Sequence, residues 1–208
     1  MIVAADYEGG GHLTAFDRQT GVRKWQTPRP KRLSYSSPIV AHVAGRDQLL
    51  ISGCDVVASY DPNTGKKLWS TPGTTMATCG TMVWDGDLVF ASGGYPKSET
   101  ICVRADGSGR VVWKNNQKCY EQSMLAHNGY IYAVNDGGIA ICWRANDGTK
   151  MWEARLAGGG VSSSPILVGG NIYVTNERGM MYVYQADPQS FQLVAKNQLG
   201  RSAFATPA

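Results

Sequence analysis

Apolar and small residues alternate with polar ones in short runs along the chain, and glycine, asparagine and aspartate bound the runs. The clearest set is Ser163–Val168, Asn171–Thr175, Met180–Gln185 and a weaker Gln192–Lys196. Segments of this length and period predict half-buried β-strands. The breaks between them are of two kinds. Gly169-Gly170, Asp85-Gly86 and Asn128-Gly129 suit tight hairpins, which need positive φ at the turn. A longer Asp-x-x-Thr-Gly break lets the aspartate accept main-chain N–H bonds while the glycine takes the left-handed position.

The longer break recurs. Asp17–Trp25 (DRQTGVRKW) and Asp61–Trp69 (DPNTGKKLW) stand 44 residues apart. Ala105–Trp113 keeps Gly109 and the tryptophan, Arg144–Trp152 keeps Gly148 and the tryptophan, and Asp187–Ala195 keeps only the aspartate. A second marker begins at Ser36-Ser37-Pro38, Cys79-Gly80-Thr81, Gln122-Ser123-Met124, Ser163-Ser164-Pro165 and Ala205-Thr206-Pro207, and its third positions step by 43, 43, 41 and 42. Two independent markers on one period signal a repeat architecture. Four antiparallel strands per repeat make an all-β chain of propeller blades, because a twisted four-stranded sheet has two apolar faces that only neighbouring sheets can cover.

The predicted blades are 1–27, 34–70, 77–114, 120–153 and 160–197 of a single array over 1–208, with 203–208 as the inner strand of a next or closing blade. Trp25, Trp69, Trp113 and Trp152, with Gly21, Gly65, Gly109 and Gly148, form the structural blade motif. Each tryptophan is expected on an outermost strand, filling the wedge between sheets. The chain opens on a second strand, Met1–Asp6, and closes on a first strand, Phe204–Ala208. Either the terminal segment completes blade one in a five-bladed ring, or the blades are part of a longer propeller; the second is the expectation.

The pattern A/S-x-D-x-x-T-G-x-x-x-W, best seen at Ala15–Trp25 and Ser59–Trp69, resembles the pyrroloquinoline-quinone-type repeat. That repeat is shared by quinoprotein dehydrogenases and by the lipoprotein propeller of the outer-membrane β-barrel assembly machinery. The resemblance spans essentially the whole chain and implies seven or eight blades and a periplasmic or otherwise extracytoplasmic location. The Trp84-Asp85 pair falls in the turn after a first strand, which is not where WD40 repeats carry theirs.

Glycine is 25 of 208 residues and charged residues are 17%, against averages of about 7% and about 25%, in keeping with short strands and tight turns. A net charge of +4 without a run of like charges points away from nucleic acid. The densest basic stretch, Arg29, Lys31 and Arg32, reads as a solvated loop. Cys54, Cys79, Cys102, Cys119 and Cys142 are odd in number and include no CxxC pair, so a zinc knuckle or a complete disulfide set is not expected. No transmembrane-length apolar stretch and no signal peptide are read in this sequence.

Strand alternation puts the inter-blade linkers and the turns between second and third strands on one face. That face carries Asp6–Glu8, Arg29–Tyr35, Tyr95–Glu99, Tyr120–Gln122, Asn135–Asp136 and Asn176–Arg178. The candidate binding residues are Tyr35, Tyr120, Glu121, Asn135, Asp136, Asn176, Glu177 and Arg178, since varied polar and aromatic loops on a rigid scaffold are where binding concentrates. No catalytic residue and no metal site is assigned. His12, His42 and His127 read as surface or packing residues, and no nucleophile elbow, phosphate loop or HExxH occurs. The expected function is therefore a non-catalytic binding or scaffolding propeller with a protein or peptide partner and no cofactor. The alternative implied by the resemblance is part of a dehydrogenase holding pyrroloquinoline quinone with calcium, for which Glu121, Asn135, Asp136 and Glu177 could supply oxygen ligands. A sensor module of a larger signalling protein is the third reading.

Overall fold

The structure, a computed structural model that describes residues 1–207, contains nineteen β-strands and no helix among the described residues. The first sheet has three strands, β1 (Ile2–Ala5), β2 (His12–Phe16) and β3 (Arg23–Pro28). Four sheets of four strands follow. The second is β4 (Ile39–Val43), β5 (Arg46–Gly53), β6 (Val56–Tyr60) and β7 (Lys67–Pro72), and the third is β8 (Val83–Asp85), β9 (Leu88–Gly93), β10 (Glu99–Arg104) and β11 (Val111–Asn115). The fourth is β12 (Leu125–His127), β13 (Tyr130–Val134), β14 (Ile139–Arg144) and β15 (Lys150–Arg155). The fifth is β16 (Ile166–Val168), β17 (Asn171–Thr175), β18 (Met180–Gln185) and β19 (Leu193–Gln198). Each sheet is an antiparallel meander in chain order, the arrangement of a propeller blade.

Two details differ from the expectations. Trp84 lies within β8 rather than in the turn after it. Residues 203–207 form no strand, and Ala208 lies outside the described residues. The segment instead touches blade five through two bonds, from Ser164 N–H to Thr206 Oγ1 at 3.1 Å and from Ala203 N–H to Glu177 O at 3.2 Å, and no strand pairs with the inner edge of β1 among the described residues.

The apolar core is divided among the blade interfaces. Leu13, Leu49, Ile51, Ala58 and Tyr60 fill the space between blades one and two. A cluster around Val57, Trp69, Val89 and Ile101 joins blades two and three. Phe90, Cys102, Ile131 and Trp143 join three and four, and Tyr132, Cys142, Ile172 and Tyr184 join four and five. No blade has a core of its own, so each sheet is stabilised by the sheets that flank it.

A single irregularity aims the tryptophans. In every sheet the ladder between the last two strands slips by one residue, opposite Ala15/Phe16, Ser59/Tyr60, Cys102/Val103, Cys142/Trp143 and Val183/Tyr184. The bulged residue is the one before Trp25, Trp69, Trp113, Trp152 and Ala195. The extra twist of a bulge re-aims the following side chain, here towards the next blade. Trp25 Nε1 donates to Pro62 O at 3.1 Å, Trp113 to Ala145 O at 2.8 Å and Trp152 to Asp187 O at 2.9 Å. Trp69 reaches its neighbour through Gln48, whose Oε1 accepts the indole N–H at 2.8 Å while its Nε2 donates to Ala105 O at 2.8 Å.

Blade five departs from the motif in a compensated way. Phe191 stands where the other turns have glycine, and its ring packs on Trp152 with centroids 5.5 Å apart, near Tyr184. The outer strand β19 carries Ala195 in place of the tryptophan.

Candidate functional site

The meander puts the four linkers and the second-to-third turns on one face, and hydrogen bonds hold them there. Arg29 N–H donates to Gly11 O at 2.8 Å, Leu156 to Gly138 O at 2.8 Å and Leu199 to Gly179 O at 2.8 Å. The linkers also bind one another, from Tyr35 N–H to Thr78 O at 2.9 Å and from Cys79 N–H to Tyr120 O at 3.1 Å. An isolated bridge between Ala77 and Tyr95, with Ala77 N–H to Tyr95 O at 3.0 Å, brings in the turn of blade three. Gly94 lets that turn approach, since a Cβ there would come within 2.6 Å of Tyr120 Cβ.

Tyr35, Tyr95 and Tyr120 therefore sit on adjoining, mutually bonded segments. Tyr35 is 61% and Tyr95 58% exposed, with Tyr120 half-buried beside them. The Tyr120 hydroxyl is held above the usual tyrosine range, first by burial and then by the nearby Cys79, Tyr35, Glu121 and Asp136. Asp136 Oδ1 accepts the Tyr120 N–H at 2.9 Å and its Oδ2 lies 3.0 Å from Lys118 Nζ. Glu121 is exposed. Four of the eight candidate residues, Tyr35, Tyr120, Glu121 and Asp136, thus belong to one patch.

The others form turns or lie apart. Asn135 Oδ1 accepts the N–H groups of Gly137 and Ile139, and Asn176 Oδ1 those of Arg178 and Met180, the same cap in two blades. Asn176 is buried and its Nδ2 also donates to Ala157 O and Gly158 O. Both amides are occupied in holding backbone. Glu177 Oε1 accepts the Ser162 hydroxyl at 2.9 Å. Arg178 is exposed on blade five, makes no ion pair among the described residues, and belongs to a different stretch of the face from Tyr35.

Arg29 corrects the reading of a solvated basic loop. It is buried, and its Nε and Nη2 bind Asp6 Oδ1 and Oδ2 at 2.7 and 2.9 Å. The bidentate pair ties the turn after β1 to the linker that leads to Tyr35. Position alone could have suggested it, since Asp6 and Arg29 occupy facing loops of one blade, but no periodic signal marks a charge as buried.

The oxygen donors do not fit a calcium–quinone centre. Asn135 caps a turn, Asp136 is engaged by Lys118 and Tyr120, and Glu177 stands with Ser162 on another blade. No group of three or more His, Cys, Asp or Glu side chains converges among the described residues, whereas calcium takes six to eight oxygens.

The family model described as outer membrane protein assembly factor BamB, a PQQ-like repeat family, matches residues 1–154 and 97–192. The outer membrane protein assembly factor BamB of Burkholderia pseudomallei is 24% identical over 195 residues, 88% of this chain and 49% of that protein. The chain thus spans about half the length of that relative. The crystal structure of BamB from Moraxella catarrhalis superposes with a TM-score of 0.56 at 14% identity, over 98% of this chain and 74% of that one. Quinohemoprotein alcohol dehydrogenase from Comamonas testosteroni superposes with a TM-score of 0.72 at 11% identity, over 95% of this chain and 41% of that one. At such identities the two structures bear on the fold alone, and both share the blade architecture. With a family match over nearly its whole length, the chain belongs to the BamB family of PQQ-like repeat propellers.

Proposed function

We propose that this chain is a protein-binding propeller module of outer-membrane assembly, working outside the cytoplasm and recognising a protein partner through the linker face of blades two to four. The observation that carries the reading is the patch of Tyr35, Tyr95 and Tyr120. Tyrosines held on hydrogen-bonded backbone present large amphipathic surfaces at little entropic cost, which is why they dominate binding hot spots. Glu121, Lys118 and Lys97 supply a polar rim of both signs, which favours a protein segment over a strongly charged polymer. The family's own description as an assembly factor supports the same reading.

A photo-crosslinking amino acid at position 35 or 95, compared with positions 18 and 66 on the opposite face, tests it in cells. The expected result is a crosslink to a cell-envelope protein from 35 and 95, lost with Tyr120→Ala, and none from 18 or 66. Crosslinks from the opposite face alone, or stoichiometric binding of pyrroloquinoline quinone with calcium and dye reduction by an alcohol, would overturn the reading.

A further inference from the structure

The interface between blades one and two is packed differently from the others. One position of each third strand faces the preceding blade: Ala58, Ile101, Ile141 and Tyr182, paired with Ser70, Lys114, Glu153 and Lys196 of the outer strands. In three blades the residue is large. Ile101 packs so closely that a Cβ on Gly73, in the linker before it, would meet its Cδ1 at 2.6 Å. Ile141 is buried, and the Tyr182 hydroxyl donates to Ala157 O of the linker that precedes its blade. Blade two has alanine. Because protein interiors are otherwise close-packed, the missing volume is left as a cleft of about 320 Å³ between β3 and the β6–β7 pair. A water takes up about 30 Å³, so the cleft far exceeds the need of one structural water and matches the small end of ligand pockets, about 300 Å³.

The cleft carries cationic and donor groups, and no acidic residue lines it. Arg29 borders it with a side chain wholly shielded from solvent. Its Nε and Nη2 are taken by Asp6, with Nη2 also 3.8 Å from Cys54 Sγ. A planar guanidinium held along that edge turns the N–H groups of Nη1 away from the carboxylate. Nη1 is buried and has no hydrogen-bond partner among the described residues, a costly arrangement for a charged group. Tyr60 stands beside the guanidinium: burial raises its hydroxyl and Arg29 works against the rise. Tyr60 and Lys67 are directly paired across β6 and β7, so their side chains leave the sheet on the same side. Lys67 is exposed and makes no ion pair among the described residues.

One class of ligand meets these groups. With Arg29 neutralised by Asp6, Lys67 is the unneutralised cation of the lining, which suits a single negative charge rather than a dianion. Pro28, Val56 and Ala58 supply an apolar wall. We propose that this cleft binds a single carboxylate carried on an apolar body, either a free acid or the C-terminus of a peptide. Lys67 and the Tyr60 hydroxyl hold the carboxylate oxygens, Tyr60 in turn accepts from Nη1 of Arg29, and the apolar body lies over Ala58. A chain of bonds running from a buried guanidinium through a hydroxyl polarises each of its links. The site is separate from the tyrosine patch, since none of Tyr35, Tyr95 and Tyr120 lines it.

Amide chemical shifts of the full chain, followed by NMR as hexanoate is added, test the proposal. Shifts are expected at Val56, Ala58 and Tyr60, and hexanol, which lacks the charge, should bind far more weakly. Tyr60→Phe and Lys67→Met should each weaken hexanoate binding about tenfold, as removal of a hydrogen bond to a charged group does. Ala58→Ile, which installs the residue of blades three and four, should abolish the shifts with no loss in the unfolding midpoint. If that variant fails to fold, Lys67→Met carries the test, because Lys67 is exposed. Acetyl-Ala-Leu with a free C-terminus, set against its amide, separates the two sources. Tighter binding than hexanoate, lost in the amide, assigns the cleft to a chain terminus, and weaker binding assigns it to free acids. Absence of shifts at those amides with millimolar hexanoate or peptide, hexanol binding as well as hexanoate, or binding that survives Ala58→Ile unchanged, overturns the proposal.

Discussion

Trp25 of blade one lies so close to Gly65 of blade two that a Cβ on the glycine would come within 2.5 Å of the indole. The same residue that gives the Asp-x-x-Thr-Gly turn its left-handed φ therefore also leaves room for the neighbour's ring. Thr27 reinforces the contact, its hydroxyl donating to Gly65 O at 2.7 Å. Turn chemistry and blade packing meet in one residue, which explains why both recur on one period.

Two alanine substitutions separate these roles. Gly21→Ala meets only the backbone penalty at a φ of 71°, with open space around it, and should cost about 1 kcal/mol. Gly65→Ala carries the same backbone penalty and also displaces Trp25, adding about 1–3 kcal/mol for overpacking. Denaturant unfolding of the two variants should differ by at least that second amount. Equal losses would show that the tryptophan contact contributes nothing.

Gln48 should be the most sensitive polar residue of the core. It is fully buried, donates to Val43 O and Ala105 O, and accepts from Ser59 Oγ and Trp69 Nε1. Gln48→Met keeps much of the volume and removes every bond, leaving buried donors and acceptors at about 1–3 kcal/mol each. A destabilisation of about 3–5 kcal/mol is expected from thermal or urea unfolding. A loss under about 1 kcal/mol would mean that packing alone joins blades two and three here.

The blade array was legible because each marker has a local cause that tolerates little substitution. Trp25, Trp69, Trp113 and Trp152 all occupy the position after a bulge on an outer strand, and a fixed geometry leaves a fixed spacing. What escaped notice has no period. Gln48 substitutes for a direct Trp69 bond at one interface only, Phe191 replaces a glycine in one turn, and Arg29 pairs with Asp6 in one blade. The candidate face was legible as a set of loops from strand alternation. Which residues meet across linkers depends on tertiary bonds such as Cys79 N–H to Tyr120 O, so the turn-capping roles of Asn135 and Asn176 looked the same in sequence as the exposed position of Tyr35.

All five cysteines are free, and four of them are buried. Burial pushes the thiols of Cys102, Cys119 and Cys142 up to about 12 and that of Cys54 to about 11. Since the thiolate is the reactive form, a disulfide reagent at pH 8 should titrate at most one thiol promptly in the native protein and five after unfolding. The prompt one should disappear in Cys79→Ser. Rapid reaction of two or more native thiols would contradict the burial of these side chains.

Acid should weaken the turns before it reaches the core. The Asp17 carboxyl is lowered to about 2 by N–H bonds from Thr20 and Gln19, Asp61 and Asp147 are lowered by similar N–H bonds within their turns, and Asp106 is lowered first by the Ser108 hydroxyl and then by the Ser108 N–H. A carboxylate with a depressed folded-state pKa contributes stability that is fully present above its unfolded value and is lost as pH falls through the folded one. For Asp17 that window runs from about 3.8 down to about 2. Urea midpoints measured across it should fall with pH in the parent protein and fall less steeply in Asp17→Asn, whose amide oxygen keeps an acceptor but cannot titrate. Because all four groups are exposed to solvent, each share is small, and combining the four Asn substitutions should flatten the profile further than any one. Parallel profiles for the parent and the fourfold variant would place the acid sensitivity elsewhere in the protein.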